Sequence, residues 1–223
     1  MITVPLYYML NKPYGCVTAC RDELYPTVMD RLPPELASRL HPVGRLDYDT
    51  RGMLLLTDDG ELDPALLLPE NHVDKEYFFY AIGELTDEKI TRIEGGCMLG
   101  GGRTVSPARI MPVRTYSVRE IEPYLPPEEH DRYMKNPDGS AFSARITLRE
   151  GKKHQVKRML RAVNCRICAL FRTSFAGIPL DPSLAPGEYR ALTEAEIAVL
   201  NEKKEAYRRE KSGSTLIRPQ REM

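Results

Sequence analysis

An α+β fold built on a largely antiparallel sheet is the class this sequence predicts, on three observations. Strand-like and helix-like segments follow one another in mixed order rather than as a regular βα repeat; several short Gly- and Pro-containing turns suit hairpins; few connections are long enough for crossovers.

Along the chain, Leu6-Tyr-Tyr-Met-Leu10 reads as a strand closed by the Pro13/Gly15 turn, and Pro26 to Leu32 as a short helix cut off by Pro33 and Pro34. The apolar run Met53 to Leu56 is a strand, and Gly60 to Leu68 a helix with Pro64 early and Pro69 at its end. Tyr77 to Ile82, rich in aromatic and β-branched residues, is a strand whose period of two puts Tyr77 and Phe79 on one face and Phe78 and Tyr80 on the other. Thr86 caps a helix through Glu94, with Asp87 and Glu88 meeting the dipole in its first turn. Gly95 to Arg103 lacks the Lys-Ser/Thr ending of a phosphate loop and precedes no helix, so it is read as a glycine-rich hairpin before the strand Ala108 to Val113.

Residues 115–140, with Pro123, Pro126, Pro127 and Pro137 among charges, are long for a loop and are expected to be an exposed insertion. Ala144 to Arg149 is a strand, Lys153 to Val163 a helix ending on Asn164, and Ile167 to Phe171 a further strand. Thr193-Glu-Ala-Glu196 is a capping box opening the last helix, which runs into the charged segment Glu202 to Lys211, with disorder expected beyond Ser212. The expected organisation is one domain over residues 1–200 and a charged helix end and tail over 201–223.

A chain of 223 residues can bury a sizeable core in one large domain or two closely packed subdomains. Without a membrane-length apolar run or a signal-like N-terminus, it is expected in the cytoplasm, with no membrane partner. Five cysteines, an odd number, fit free thiols better than a disulfide framework. Cys165-Arg-Ile-Cys168, with Cys16 and Cys20 as imagined partners, is the one metal alternative; the second pair has the wrong spacing, so no metal is expected.

Lys plus Arg equals Asp plus Glu, 32 each, yet the charge is segregated. Between Arg145 and Arg172 nine basic residues face one acid, Glu150, while Glu120 to Asp131 is acid-rich. A basic segment of this kind attracts phosphates even on a neutral chain, although a solvated helix face gives the same pattern. His154, Lys157, Arg158 and Arg161 follow helical spacing on one face, and Val156, Met159, Leu160 and Val163 make the adjoining apolar face.

The densest signal is His41-Pro-Val-Gly-Arg-Leu-Asp-Tyr-Asp-Thr-Arg-Gly52, which sets Asp47 behind an arginine and a tight Gly turn just before a strand. Taken in order with Asn11-Lys-Pro-Tyr-Gly15, Lys75-Glu-Tyr77 and Glu150-Gly-Lys-Lys-His-Gln-Val-Lys-Arg-Met159, it resembles the motifs of RNA pseudouridine synthases of the RsuA type, from about Leu6 to about Leu200. The resemblance implies a bent central sheet of two subdomains with flanking helices and an RNA cleft across the middle. It also implies a reaction that detaches a uracil from its ribose, rotates it and rejoins it through carbon 5, with no cofactor and no metal. RNA, most of all small-subunit ribosomal RNA, is then the expected partner of a monomeric enzyme. The usual small N-terminal RNA-binding domain of such enzymes is expected to be lacking.

Residue by residue, the resemblance implies Asp47 as the reactive carboxylate, Lys157 as its cationic partner and Tyr77 as the ring that stacks on the flipped base, its hydroxyl a proposed acceptor of a sugar proton. Many relatives carry Arg at the Lys157 position, and Lys offers a single-point contact where Arg can be bidentate. Without the resemblance, Lys157 reads as a solvated helix residue and Tyr77 as core. Lys75, Lys152, Lys153, His154, Gln155, Arg158 and Arg161 are candidate RNA contacts; Arg51 is a candidate for phosphate contact or base displacement, and Arg45 serves RNA or braces the loop. The competing reading is a non-catalytic RNA-binding or ribosome-assembly protein on the same fold, and a hydrolase using Asp47 is a more distant one.

Overall fold

A computed structural model describes residues 4–96, 98–99 and 103–215. The strands are β1 (Tyr7–Lys12), β2 (His41–Pro42), β3 (Thr50–Thr57), β4 (Lys75–Ile82), β5 (Met98–Leu99), β6 (Arg103–Thr104), β7 (Arg109–Ser117), β8 (Ser140–Leu148), β9 (Arg166–Phe175), β10 (Ile178–Pro179) and β11 (Tyr189–Ala191). The helices are α1 (Pro34–Ala37), α2 (Leu62–Leu67), α3 (Asp87–Glu94), α4 (His130–Tyr133), α5 (Gln155–Ala162) and α6 (Glu194–Thr215).

The main sheet runs β11-β1-β3-β9-β4-β8-β7, with β2 beside β3 and β10 beside β9. Every pairing in it is antiparallel except β3 with β9, where Thr50, Arg51 and Gly52 meet Leu170, Phe171 and Arg172. This short parallel seam divides the sheet into two halves, each with its own cores. Met53 and Leu55 pack with Leu62, Leu66 and Leu200 on one face of the first half, and Leu54 and Leu56 with Val28 and Leu40 on the other. A strand buried on both faces reads as a continuous apolar run, which is why Met53 to Leu56 is so plain in the sequence. In the second half Phe79, Ile146 and Leu148 bury α3 and α5, through Ile93, Val156, Met159 and Leu160.

The α+β class and the main strand assignments are as expected, and so are several local signals. Thr86 Oγ1 accepts from the Lys89 amide at 3.4 Å. Thr193 and Glu196 complete a capping box, and Asn164 closes α5 at φ +56°. β5 and β6 pair as the expected hairpin; Cys97 and residues 100–102 between them lie outside the described residues.

Three expectations change. Pro26 to Leu32 forms only a 3-10 turn, Val28–Arg31, because Pro33 forces Leu32 into extended backbone at φ −107°, ψ 152°. Residues 115–140, expected as an exposed insertion, are largely exposed or half-buried but not structureless. β7 continues to Ser117, and Val118, Ile121, Leu125 and Tyr133 build a core of their own against Ala141, while Tyr124 stacks on Tyr80 at 4.1 Å. Spaced apolar residues among many charges hid this from the sequence. Finally, α6 continues past Ser212 to Thr215; residues 216–223 of the expected tail lie outside the described residues.

Candidate active site

The turn that carries Asp47 is held from several sides. Gly44 sits at φ +70°, a left-handed conformation that strains any residue with a Cβ, and a Cβ there would also push on Leu67 Cδ2 at 2.7 Å. Buried Leu46 is clasped by Thr18, whose Oγ1 accepts from the Leu46 amide at 3.1 Å and donates to its carbonyl at 2.8 Å. The Thr50 amide donates to the Asp47 carbonyl at 3.1 Å and leads the chain into β3. From β1, wholly buried Lys12 donates to the carbonyls of Pro13, Tyr48 and Thr50 at 3.1, 3.3 and 2.8 Å. Burial pushes the Lys12 ammonium below its usual range, opposed by the nearby Cys16, Asp49 and Asp47. The Asn11 to Gly15 motif thus acts on the Asp47 turn through backbone carbonyls.

Asp47 faces the N-terminal turn of α5. Lys157 Nζ stands 3.3 Å from Asp47 Oδ2, and the same ammonium makes a shorter contact with Asp49 Oδ1. His154 Nε2 is 3.6 Å from Asp47 Oδ1, an ion-pair distance when the ring is protonated. His154 itself adopts φ +52° and precedes the helix, which explains why α5 starts two residues later than its sequence pattern. Two carboxylates share one ammonium at a site where the Asp47 side chain is only 29% exposed. Covering it with a ligand would strengthen this attraction by excluding water.

Tyr77 completes the recess. Its ring packs toward the α5 side with Phe79, and Asp47, Thr50, Tyr77, Lys157 and Leu170 line one cavity. The three residues singled out as catalytic are therefore brought together from a turn, a strand and a helix. Together they offer a carboxylate, an ammonium and an aromatic ring to one small planar group.

The candidate RNA contacts separate into groups. Arg45, Lys153, His154 and Arg161 are exposed around the recess and α5, and Arg158 is half-buried on the helix. Lys152 is exposed but engaged, with its ammonium 2.9 Å from both Glu150 Oε2 and the Thr104 carbonyl. Gln155 is buried and braces the preceding turn, accepting from the Lys152 amide at 3.0 Å and donating to Glu150 at 2.7 Å. Arg51 points to the opposite face of the sheet from Thr50, its guanidinium 5.3 Å from the Tyr14 ring and 5.2 Å from that of Phe171. Lys75 is 6% exposed and donates to the Val73 carbonyl, inside the protein rather than on its surface.

Other residues at the site had not been singled out. Asp49 is the second carboxylate on Lys157, two positions beyond Asp47, and Lys12 stood in a quoted motif with no role attached. Next to the recess, Asp49, Lys157, Arg161 and Arg166 line a groove with Glu128 and Glu129 of the 115–140 segment. Glu129 pairs with Arg166, and Glu128 accepts from the Tyr14 hydroxyl at 3.1 Å; burial, and after it this bond, pushes that phenol up to about 12. Cys16 and Cys165 are buried in separate cores, and no metal-holding group of three His, Cys, Asp or Glu occurs among the described residues.

Comparison with known proteins gives the family. The profile of the family described as RNA pseudouridylate synthase matches residues 6–162. An uncharacterised RNA pseudouridine synthase of Bacillus subtilis is 39% identical over 198 residues, 88% of this chain and 74% of that protein. Ribosomal small subunit pseudouridine synthase A of Escherichia coli is 36% identical over 194 residues, 87% of this chain and 73% of that one. A crystal structure of a pseudouridylate synthase superposes with a TM-score of 0.73 at 32% identity, covering 89% of this chain and 75% of its own. Human RNA pseudouridylate synthase domain containing 1, at 13% identity and a TM-score of 0.52 over 84% of this chain and 78% of its own, shares the fold. With a matching profile over most of its length and these relatives, the chain belongs to the RNA pseudouridine synthases, of the RsuA type.

Proposed function

We propose that this enzyme isomerises a specific uridine of small-subunit ribosomal RNA to pseudouridine, with Asp47 as the reactive carboxylate, Lys157 as its counter-ion and Tyr77 as the surface for the detached base. The observation that carries the reading is the convergence of these three side chains on one recess, with the Lys157 ammonium 3.3 Å from Asp47. In the reaction the bond from N1 to the ribose breaks, a bond from C5 to the same carbon forms, the C5 proton leaves and N1 ends protonated. Nothing is oxidised or reduced, so a carboxylate, a cation to keep it ionised and a stacking ring suffice. The target base must leave its stack, at a cost of a few kcal/mol offset by stacking and phosphate contacts. Arg45, Lys153 and Arg161 are the exposed cations available for those contacts.

The small-subunit target is supported by the similarity to the Escherichia coli enzyme of that name. Such an enzyme would work in the cytoplasm as a monomer. A non-catalytic RNA-binding role fits less well, because two carboxylates in a phosphate-binding cleft repel RNA unless they serve the chemistry. The test is site-resolved pseudouridine mapping of ribosomal RNA treated with the purified enzyme or with Asp47→Asn. One small-subunit uridine should convert with the wild type and none with the variant, while RNA binding is retained. Turnover by pure Asp47→Asn would sink the assignment of the carboxylate, and conversion confined to large-subunit RNA would sink the target.

A further inference from the structure

Two buried cations are unused by the chemistry above. Arg172 of β9 is 2% exposed and Lys75 of β4 is 6% exposed, yet neither forms an ion pair among the described residues. Arg172 Nε donates to the Met53 carbonyl at 2.7 Å, its guanidinium lies 4.6 Å from the Phe175 ring, and its Nη2 has no hydrogen-bond partner. Lys75 donates to the Val73 carbonyl at 3.0 Å and stands 5.4 Å from the same Phe175 ring. Asp74 acts on Lys75 from a distance, but its carboxylate is paired with Arg149. Cations buried without a carboxylate are costly, and a buried guanidinium with an idle donor calls for a reason.

The topology supplies one. β9 lies between β3, which continues the Asp47 turn, and β4, which carries Tyr77. In register, Arg172 meets Gly52 on one side and Tyr77 on the other. At the seam a Cβ on Gly52 would fall 2.3 Å from the Arg172 carbonyl oxygen, so the two strands approach as closely as backbone allows. Across the other side, directly opposed antiparallel residues share a face with their Cβ atoms about 5 Å apart. Burial pushes the Arg172 guanidinium below its usual range, opposed by Tyr77 across the pair.

We infer that Arg172, seconded by Lys75, is a positioning residue for the isomerisation: it ties the strand behind the Asp47 turn to the hydroxyl end of Tyr77. One side chain thereby braces the carboxylate's strand against the ring's at the parallel seam, where three register pairs join β3 to β9. Its unpartnered Nη2 is the donor available to the hydroxyl oxygen. The inference rests on the reading of Tyr77 as part of the reacting site.

Single-turnover rates and RNA saturation curves for Arg172→Lys, Tyr77→Phe and the double variant, on a ribosomal RNA transcript that the wild type modifies, test it. Arg172→Lys keeps the charge and loses the fork. It should lower the maximal rate about tenfold or more while half-saturating RNA stays within about twofold, and in the Tyr77→Phe background it should cost less than about twofold. Equal losses in both backgrounds, or a wild-type rate for Arg172→Lys, would overturn the inference. So would a wild-type rate for Tyr77→Phe, which removes the hydroxyl from the reaction; turnover by Asp47→Asn would strike the proposed function alone. Should Arg172→Lys melt below the assay temperature, Lys75→Met carries the same comparison, with a smaller rate loss that again vanishes beside Tyr77→Phe.

Discussion

The ammonium of Lys12 stands 2.8 Å from the carbonyl oxygen of Thr50, inside the protein and with no exposure to solvent. This contact joins the end of β1 to the start of β3, and the turn that presents Asp47 hangs between them. Lys12→Met would keep the stem and abandon three carbonyls, so it should destabilise the protein by about 1–3 kcal/mol. The single-turnover rate should fall about tenfold or more, because a turn shifted by a fraction of an ångström misplaces the carboxylate. Thermal melting and rate measured side by side check this; a wild-type rate in a less stable Lys12→Met protein would confine Lys12 to stability.

Lys75 predicts a pH dependence of stability. Burial, aided by the charge of Arg172, holds its pKa down at about 8 in the folded state, against an ordinary 10.5. Between those values the unfolded chain binds the proton and the folded chain does not, so this group's contribution to stability rises with pH across that window and is unfavourable below it. Lys75→Met should therefore be more stable than the wild type at pH 7, by on the order of a few kcal/mol, with the gap closing as pH rises toward 10. Denaturant titrations of both proteins from pH 7 to 10 measure the gap. A constant difference would mean that the ammonium is better solvated than its burial indicates.

Arg166 is held by Glu129 at the groove beside the recess, and Arg161 lines the same groove. Glu129→Gln should free a cation for phosphate, tightening RNA binding about threefold to tenfold at low salt and steepening its salt dependence. Arg161→Ala should do the reverse, weakening binding and flattening the slope by about one phosphate. Filter binding over a salt series reads both. Weaker binding by Glu129→Gln would mean that the carboxylate helps to hold the RNA.

Much of the site was legible because its motifs are contiguous. The turn before Asp47 needs Gly44, the strand after it is apolar on both faces, and α5 shows its buried stripe in Val156, Met159 and Leu160. The α+β class followed from the same local periodicities, which neighbouring residues alone determine. The small core within segment 115–140 was missed because its few apolar residues come together only when Tyr80 and Ala141 of other strands lie beneath them.

By itself, then, the sequence determined the class of fold and the family, and it named Asp47, Tyr77 and Lys157 as candidates, since each of these is written in a short run of residues. Only the tertiary structure decided that Asp49 shares Lys157, that Lys75 and Gln155 lie inside, that Arg51 faces the opposite side, and that Arg172 joins the two halves. The physical reason is separation along the chain. Arg172 and Met53 are 119 positions apart, and Lys157 and Asp49 are 108 apart. Burial and charge pairing between such residues depend on the order and register of strands in the sheet, which no local pattern encodes.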